Sequence, residues 1–173
     1  MIGLYKGTSM ISTLIKWRTW SEYSHVSWIN EDGSVIEAWT DGVCQRKSIH
    51  EAHRPGTQID IFDVKMSLEQ KARIKLFLKG EIGKKYDYRG VMKFISRRSG
   101  DNQDRWFCSE LIAAAFNFAD VPLLVRIPVY KIYPGLLAYS PLLRPLGPTL
   151  TCPRPAFQVS GFSPHPSLQE VLS

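Results

Sequence analysis

Residues 23 to 39, YSHVSWINEDGSVIEAW, hold two runs of β-branched and aromatic residues separated by the polar segment Asn30-Glu31-Asp32-Gly33. Branched and aromatic side chains favour extended backbone and Asn, Asp and Gly favour turns, so the pattern predicts a β-hairpin. With a loop made of Glu31, Asp32 and Gly33, and Gly33 taking the left-handed conformation, Asn30 pairs with Ser34. That register sets His25 opposite Trp39 and Ser27 opposite Glu37. His25 and Glu37 then become diagonal neighbours on one face, about 7–8 Å apart at the backbone and within side-chain reach.

The segment from Gly42 to Gly56 reads as a loop, and QIDIFDV, 58 to 64, alternates as a third strand. Leu68, Ala72, Leu76 and Lys79, with Ile74 and Leu78, carry helical spacing. Ser67 and Gln70 form a capping-box pair in front of them, and Gly80 is the expected stop. GKKYDYRGVMKFISRR, 83 to 98, reads as a loop leading into a second helix, and SGDNQD, 99 to 104, as a polar breaker. Between Trp106 and Phe118 the positions Leu111, Ile112, Ala115 and Phe118 recur on one helical face. Asp101, Asn102 or Asp104 would cap that helix, which puts Cys108 near its first turn. After Pro122 prolines interrupt every pattern except Tyr133 to Ser140, a short helix with Pro134 at its first position. Seven prolines follow from Pro141 onward, giving a domain over 1–143 and a Pro-rich extension over 144–173.

The chain of 173 residues suits one domain, and 44% hydrophobic with 22% charged residues is the composition of a globular protein. No apolar stretch approaches the roughly 18 residues of a spanning helix. Lys6, Lys16 and Arg18 break the apolar residues of the N-terminus, so no secretory signal is expected and the default location is cytoplasmic, with delivery elsewhere left open. Cys44, Cys108 and Cys152 are an odd set without paired short spacing, expected as free thiols. The net charge of +6 fits an anionic partner such as a membrane surface or a cell-wall polymer. Its basic residues are scattered along solvated helical faces, so no nucleic acid is expected, and the chain is expected to be a monomer.

Taken singly, Cys108 on an Ala-rich helix is packing material and His25 is a hydrogen-bonded strand residue. Glu37 alters that reading. A carboxylate between Ile36 and Ala38 is costly to bury without a donor, and His25 shares its face. The two make sense as base and orienter, and a helix start would favour the thiolate of Cys108. Tyr86 and Tyr88 are candidates to line the cleft or donate to an oxyanion, although aromatic residues there also suit a core. Ser109, beside the nucleophile, joins them as a candidate, with service to the helix end as its plainer role. His50 and His53, near Cys44 and Glu51, raise a metal site, but the spacing lacks two further placed ligands, so no metal and no cofactor are expected.

SHVSWI, VIEAW, YDYRG and WFCSELIAAAF, in that order, resemble the circularly permuted branch of the NlpC-type papain-fold cysteine hydrolases, its YiiX-like subgroup, related to the lecithin:retinol acyltransferases. The resemblance covers about residues 1 to 141, with YPGLLAYSP closing the domain. It implies an α+β, permuted papain-like fold: an antiparallel sheet packed on helices, with the nucleophile at a helix N-terminus. It also implies Cys108 as nucleophile, His25 as general base and Glu37 as third member of a triad. The activity implied is a thiol hydrolase of bacterial or phage type acting on amide bonds, a cell-wall endopeptidase or amidase with peptidoglycan as substrate. A lipid acyltransferase or lipase-like hydrolase is the alternative, and a binding module on the same fold is a third.

Overall fold

In the computed structural model, residues 1–51, 53–87 and 105–153 are described. Five strands come early, β1 (Ile2–Lys6), β2 (His25–Ile29), β3 (Val35–Trp39), β4 (Gly42–Arg46) and β5 (Gln58–Val64), with helix α1 (Met10–Thr19) after the first. Helix α2 (Leu68–Glu81), short strands β6 (Lys85–Tyr86) and β7 (Arg105–Trp106), and helix α3 (Cys108–Phe118) follow. A 3-10 turn (Val129–Lys131), helix α4 (Pro134–Leu137) and strands β8 (Leu143–Pro145) and β9 (Leu150–Thr151) complete the described chain.

The main sheet runs in the order β4-β3-β2-β1-β5-β8, with β9 also on β5, and every pairing in it is antiparallel. The fold is α+β. The hairpin register is the expected one: Trp28 pairs with Ile36 and Ile29 with Val35, and Asn30 N–H donates to Ser34 O at 2.8 Å. Gly33 has φ 81°, which a residue with a Cβ adopts only at a cost.

Two regions depart from expectation. The N-terminal residues form β1, the strand between β2 and β5, although no strand is evident there in the sequence pattern. Residues 42 to 46, expected as loop, form β4, pairing Glu37 with Cys44 and Trp39 with Gly42. β1 is buried on both sides, and β4 opens on Gly42 and carries a single β-branched residue, so neither shows the strand signature of β2 and β3.

Alternation along the strands gives the sheet two buried faces. Ile2, Leu4, Val26, Trp28, Ile36, Ala38, Phe62 and Val64 pack with Ile74 and Leu78 of α2 and with Leu111, Ile112, Ala115 and Phe116 of α3. The Trp28 and Phe116 rings meet edge to face at 6.0 Å. Tyr5 and Ile59 occupy the opposite face, where Cys152 covers them. α2 starts at the expected capping box: Ser67 Oγ accepts from Gln70 N–H at 3.1 Å and Gln70 Oε1 from Ser67 N–H at 2.9 Å. It runs through Gly80 to Glu81. α4 has Pro134 at its first position as expected.

α3 begins differently. Its N-cap is Phe107, without a side-chain cap, and the Glu110 carboxylate accepts from the Phe107 N–H at 3.3 Å. Cys108 is thus the first helical residue. The expected cap residues 101, 102 and 104, the part of the expected loop-and-helix segment 83–98 that follows residue 87, and the tail beyond 153 lie outside the described residues. The boundary expected at 143/144 falls inside β8, and Leu143–Pro145 and Leu150–Thr151 extend the sheet along β5. Pro145 sits on an edge strand, where its missing N–H costs no ladder bond.

Candidate functional site

His25 opens β2 and Glu37 sits at the centre of β3. The hairpin register brings them together: His25 Nε2 lies 2.7 Å from Glu37 Oε2, and both side chains are 1% exposed. An ionised carboxylate only accepts, so Nε2 carries the ring hydrogen and donates it. In the neutral ring Nδ1 is then a bare lone pair. It is buried and has no hydrogen-bond partner among the described residues.

Two further groups converge on Glu37. His53 Nε2 donates to the same oxygen at 3.3 Å, and Arg46 Nε donates to Oε1 at 3.5 Å. Arg46 is itself fixed by Asp41, whose two carboxylate oxygens accept from Nη2 at 2.7 Å. Burial works against the charged form of Glu37, but the hydrogen bonds donated by His25 and His53 prevail and hold its carboxyl well below the usual range. Burial pushes His25 below the ordinary imidazole value, outweighing the opposing pull of Glu37. The resting pair is therefore a neutral imidazole and a carboxylate. Aromatic rings wall it in: Trp39 meets His25 edge-on at 4.5 Å, and Tyr5 stacks on His53 at 4.2 Å. The Tyr5 hydroxyl, raised by burial and by Glu37, stays protonated and shares a 2.8 Å hydrogen bond with Ser27 Oγ.

Cys108 is 1% exposed and belongs to the core on the helix side of the sheet, whereas the His25 ring packs against Tyr5 on the other side. The two approach each other at the start of β2. The backbone N–H groups of Val26, bonded directly to His25, and of Ser109 serve the sulfur and favour its thiolate. Burial outweighs them, the charges of Glu37 and Glu110 add to it, and the thiol is pushed up to about 12. Since Nδ1 has no partner among the described residues, the sulfur of Cys108 makes no hydrogen bond with it in the resting structure. Imidazole and carboxylate are joined directly, with the sulfur beside the backbone that carries the imidazole.

The other sequence candidates fare less well. Tyr86 is 5% exposed in the core, its ring 6.1 Å from that of Phe107, so it packs the domain. Tyr88 lies outside the described residues. The Ser109 hydroxyl is buried and donates to Ile132 O, which ties α3 to the 3-10 turn, and only its backbone N–H serves the sulfur. The metal grouping weighed in the sequence does not assemble: His50 Nδ1 meets Cys152 Sγ at 3.3 Å, and Glu51 accepts from the Lys47 N–H at 2.6 Å. His53 turns instead to Glu37. Among the described residues, the group placed to hold a metal ion is His25, Glu37 and His53, whose ligand atoms lie within 4.8 Å of one another. Sequence reasoning missed His53 and Arg46 at this site. A strand over 42–46 is the signal that finds Arg46, because it sets Cys44 opposite Glu37 and Arg46 along the same face.

No protein-family model matches the sequence, and no curated protein matches it. Among solved structures, the chain is similar to metalloprotein yiiX from Escherichia coli O157:H7, of DUF1105, with a TM-score of 0.63 and 18% identity over 84% of this chain and 94% of that one. The likeness is one of fold.

Proposed function

We propose that the chain is a thiol hydrolase on a permuted papain-like fold, with Cys108 as nucleophile, His25 as general base and Glu37 as orienting carboxylate. The observation that carries this reading is the bare, buried Nδ1 of His25, whose other nitrogen is committed to Glu37. A base needs an unshared pair where the proton will arrive, and burial of an acceptor without a partner is otherwise a cost with no return. In the reaction the Cys108 sulfur attacks a carbonyl carbon while its proton passes to Nδ1. The imidazolium so formed is stabilised by Glu37 and gives the proton to the departing amine or alcohol. Water then hydrolyses the acyl-enzyme, with Nδ1 taking its proton and passing it to the departing Cys108 sulfur as the carbon–sulfur bond breaks. The N–H of Cys108, at the first position of α3, has no intrahelical acceptor and suits an oxyanion. Because the sulfur is covered at rest, substrate binding must bring sulfur and ring to hydrogen-bond distance.

The substrate class is the amide bond of cell-wall peptides, supported by the net charge of +6 that suits an anionic polymer. One observation favours a second reading, an acyl-lipid substrate. α1 exposes Met10 (87%) and Trp17 (69%), and Trp20 just beyond it is 91% exposed, with Lys16 and Arg18 alongside. Apolar and aromatic residues flanked by cations suit an anionic lipid surface. Incubation of the protein with purified sacculi or with anionic acyl-lipid vesicles, followed by mass spectrometry of the products, separates the two. In either case Cys108→Ala must abolish turnover while the protein stays folded, and retained turnover in that variant ends the thiol reading.

A further inference from the structure

We infer that His25 Nε2, Glu37 Oε2 and His53 Nε2 form a site for a divalent cation of the zinc class, and that filling this site switches the thiol centre off. The inference rests on the thiol-hydrolase reading for its second half only. The first half stands on geometry. Two imidazole nitrogens converge on one carboxylate oxygen at 2.7 and 3.3 Å, from strand β2 and from the connection between β4 and β5. All three ligand atoms lie within 4.8 Å of one another. Two imidazoles and a carboxylate are a donor set that borderline divalent ions take up, leaving a position for water. The surroundings suit it as well. Arg46 on Oε1 and Tyr5 stacked on His53 hold two of the three ligands in orientation, which is how outer groups commonly serve a metal site.

The second half follows from the chemistry of imidazole. A neutral ring that ligates through Nε2 must carry its hydrogen on Nδ1. When the ion enters, the hydrogens that His25 and His53 donate to Glu37 leave Nε2 and the rings are protonated at Nδ1. For neutral rings this is a tautomer exchange with no net proton released. The lone pair on His25 Nδ1 is then gone, and that is the atom the proposed mechanism needs to take the Cys108 proton. A metal-filled site and an active thiol centre are mutually exclusive because they require opposite tautomers of one ring. His53 separates the two states, since it is a ligand in the first and has no step in the second.

The test uses the full chain and zinc chloride as probe. Titration calorimetry should find one ion per chain in the wild type, in Cys108→Ala and in Cys152→Ser with the same affinity. His53→Gln should bind at least about tenfold more weakly, the smallest loss usual for disturbing a metal site. Acylation of Cys108 by p-nitrophenyl acetate, followed by mass spectrometry, should fall as zinc is added, with a midpoint that tracks the calorimetric affinity and moves with it in His53→Gln. Nitrogen-15 spectra of the wild-type histidines provide a readout that needs no variant: on saturation His25 and His53 should change from the Nε2–H to the Nδ1–H tautomer. Loss of binding in Cys108→Ala or Cys152→Ser, unchanged binding in His53→Gln, unchanged tautomers, or full acylation at saturating zinc would each overturn the inference. If Cys108 is not acylated even without metal, the thiol reading fails, while the calorimetry and the tautomers still decide the metal site.

Discussion

Labelling of Cys108 with iodoacetamide in the native protein tests how its thiol is held. Burial pushes it up to about 12 from the ordinary thiol value of 9.0. That gap of roughly 3 pH units makes the reactive thiolate about 1,000-fold scarcer than in an unfolded peptide at neutral pH. Its 1% exposure slows labelling further. Cys44, half-buried and pushed up to about 11, supplies an internal comparison, with a thiolate scarcer by only about 100-fold. Quantitative mass spectrometry of the two cysteine peptides, from pH 7 to 10, should show Cys108 slower than Cys44 at every pH and rising close to tenfold per unit without a plateau. The same slope is expected in His25→Ala, because a neutral imidazole with an unshared Nδ1 does not set the resting thiol. A plateau for Cys108 below pH 9 in the native wild type, lost in His25→Ala, would mean a standing thiolate–imidazolium pair. It would refute the argument that the sulfur is activated only when substrate closes the gap to the ring.

Two further outcomes follow from the hairpin and its neighbours. Glu37→Gln leaves donors from His25, His53 and Arg46 facing a side chain that cannot accept from all of them, and breaking such a buried pair costs about 3–5 kcal/mol. Denaturant melts should show this loss at pH 7. The Glu37 carboxyl is depressed in the fold, so its contribution is complete above about pH 4.5 and drains as the pH falls below that value, and the gap between wild type and variant should narrow there. Gly42→Ala combines φ 108° with a Cβ that would lie 2.6 Å from Lys84 O, the acceptor of the Val43 N–H. Strain of about 1–3 kcal/mol is expected, read as a lowered denaturation midpoint with an unchanged slope.

How far the site could be read from sequence depends on how local its causes are. The pairing of His25 with Glu37 follows from a loop whose length fixes the register, so it is legible to the individual side chain. The capping box of α2 and Pro134 at the start of α4 are likewise decided within a few residues. β1 is not legible, because Ile2, Leu4 and Tyr5 are buried on alternate sides of a sheet covered on both faces, which removes the polar half of the period. His53 reaches Glu37 from a connection whose path depends on β4 and β5 pairing elsewhere. The thiol's resting state is illegible for the same reason. A helix start predicts a lowered value, and only packing against Val26 and the rest of the core reverses it.

β3 reads Val35-Ile36-Glu37-Ala38-Trp39, and folding alone would be better served by an apolar residue at its centre. Removing a carboxylate from water costs several kcal/mol, and a buried ionic cluster often stabilises no better than packed hydrocarbon of the same shape. Here the cost is offset by donors from three separate places, β2, β4 and the connection after β4, each of which must give up hydration to arrive. The sheet does not need that convergence to hold together, since Ile59, Tyr5 and Cys152 close the same face next to it with ordinary packing. A fold that concentrates one carboxylate, two imidazoles and a guanidinium at a place where a leucine would suffice has departed from what stability requires. Such departures mark chemistry. On the proposed function and the proposed metal site, that chemistry is a choice, made at one nitrogen of His25, between carrying a proton and leaving a lone pair free to take one.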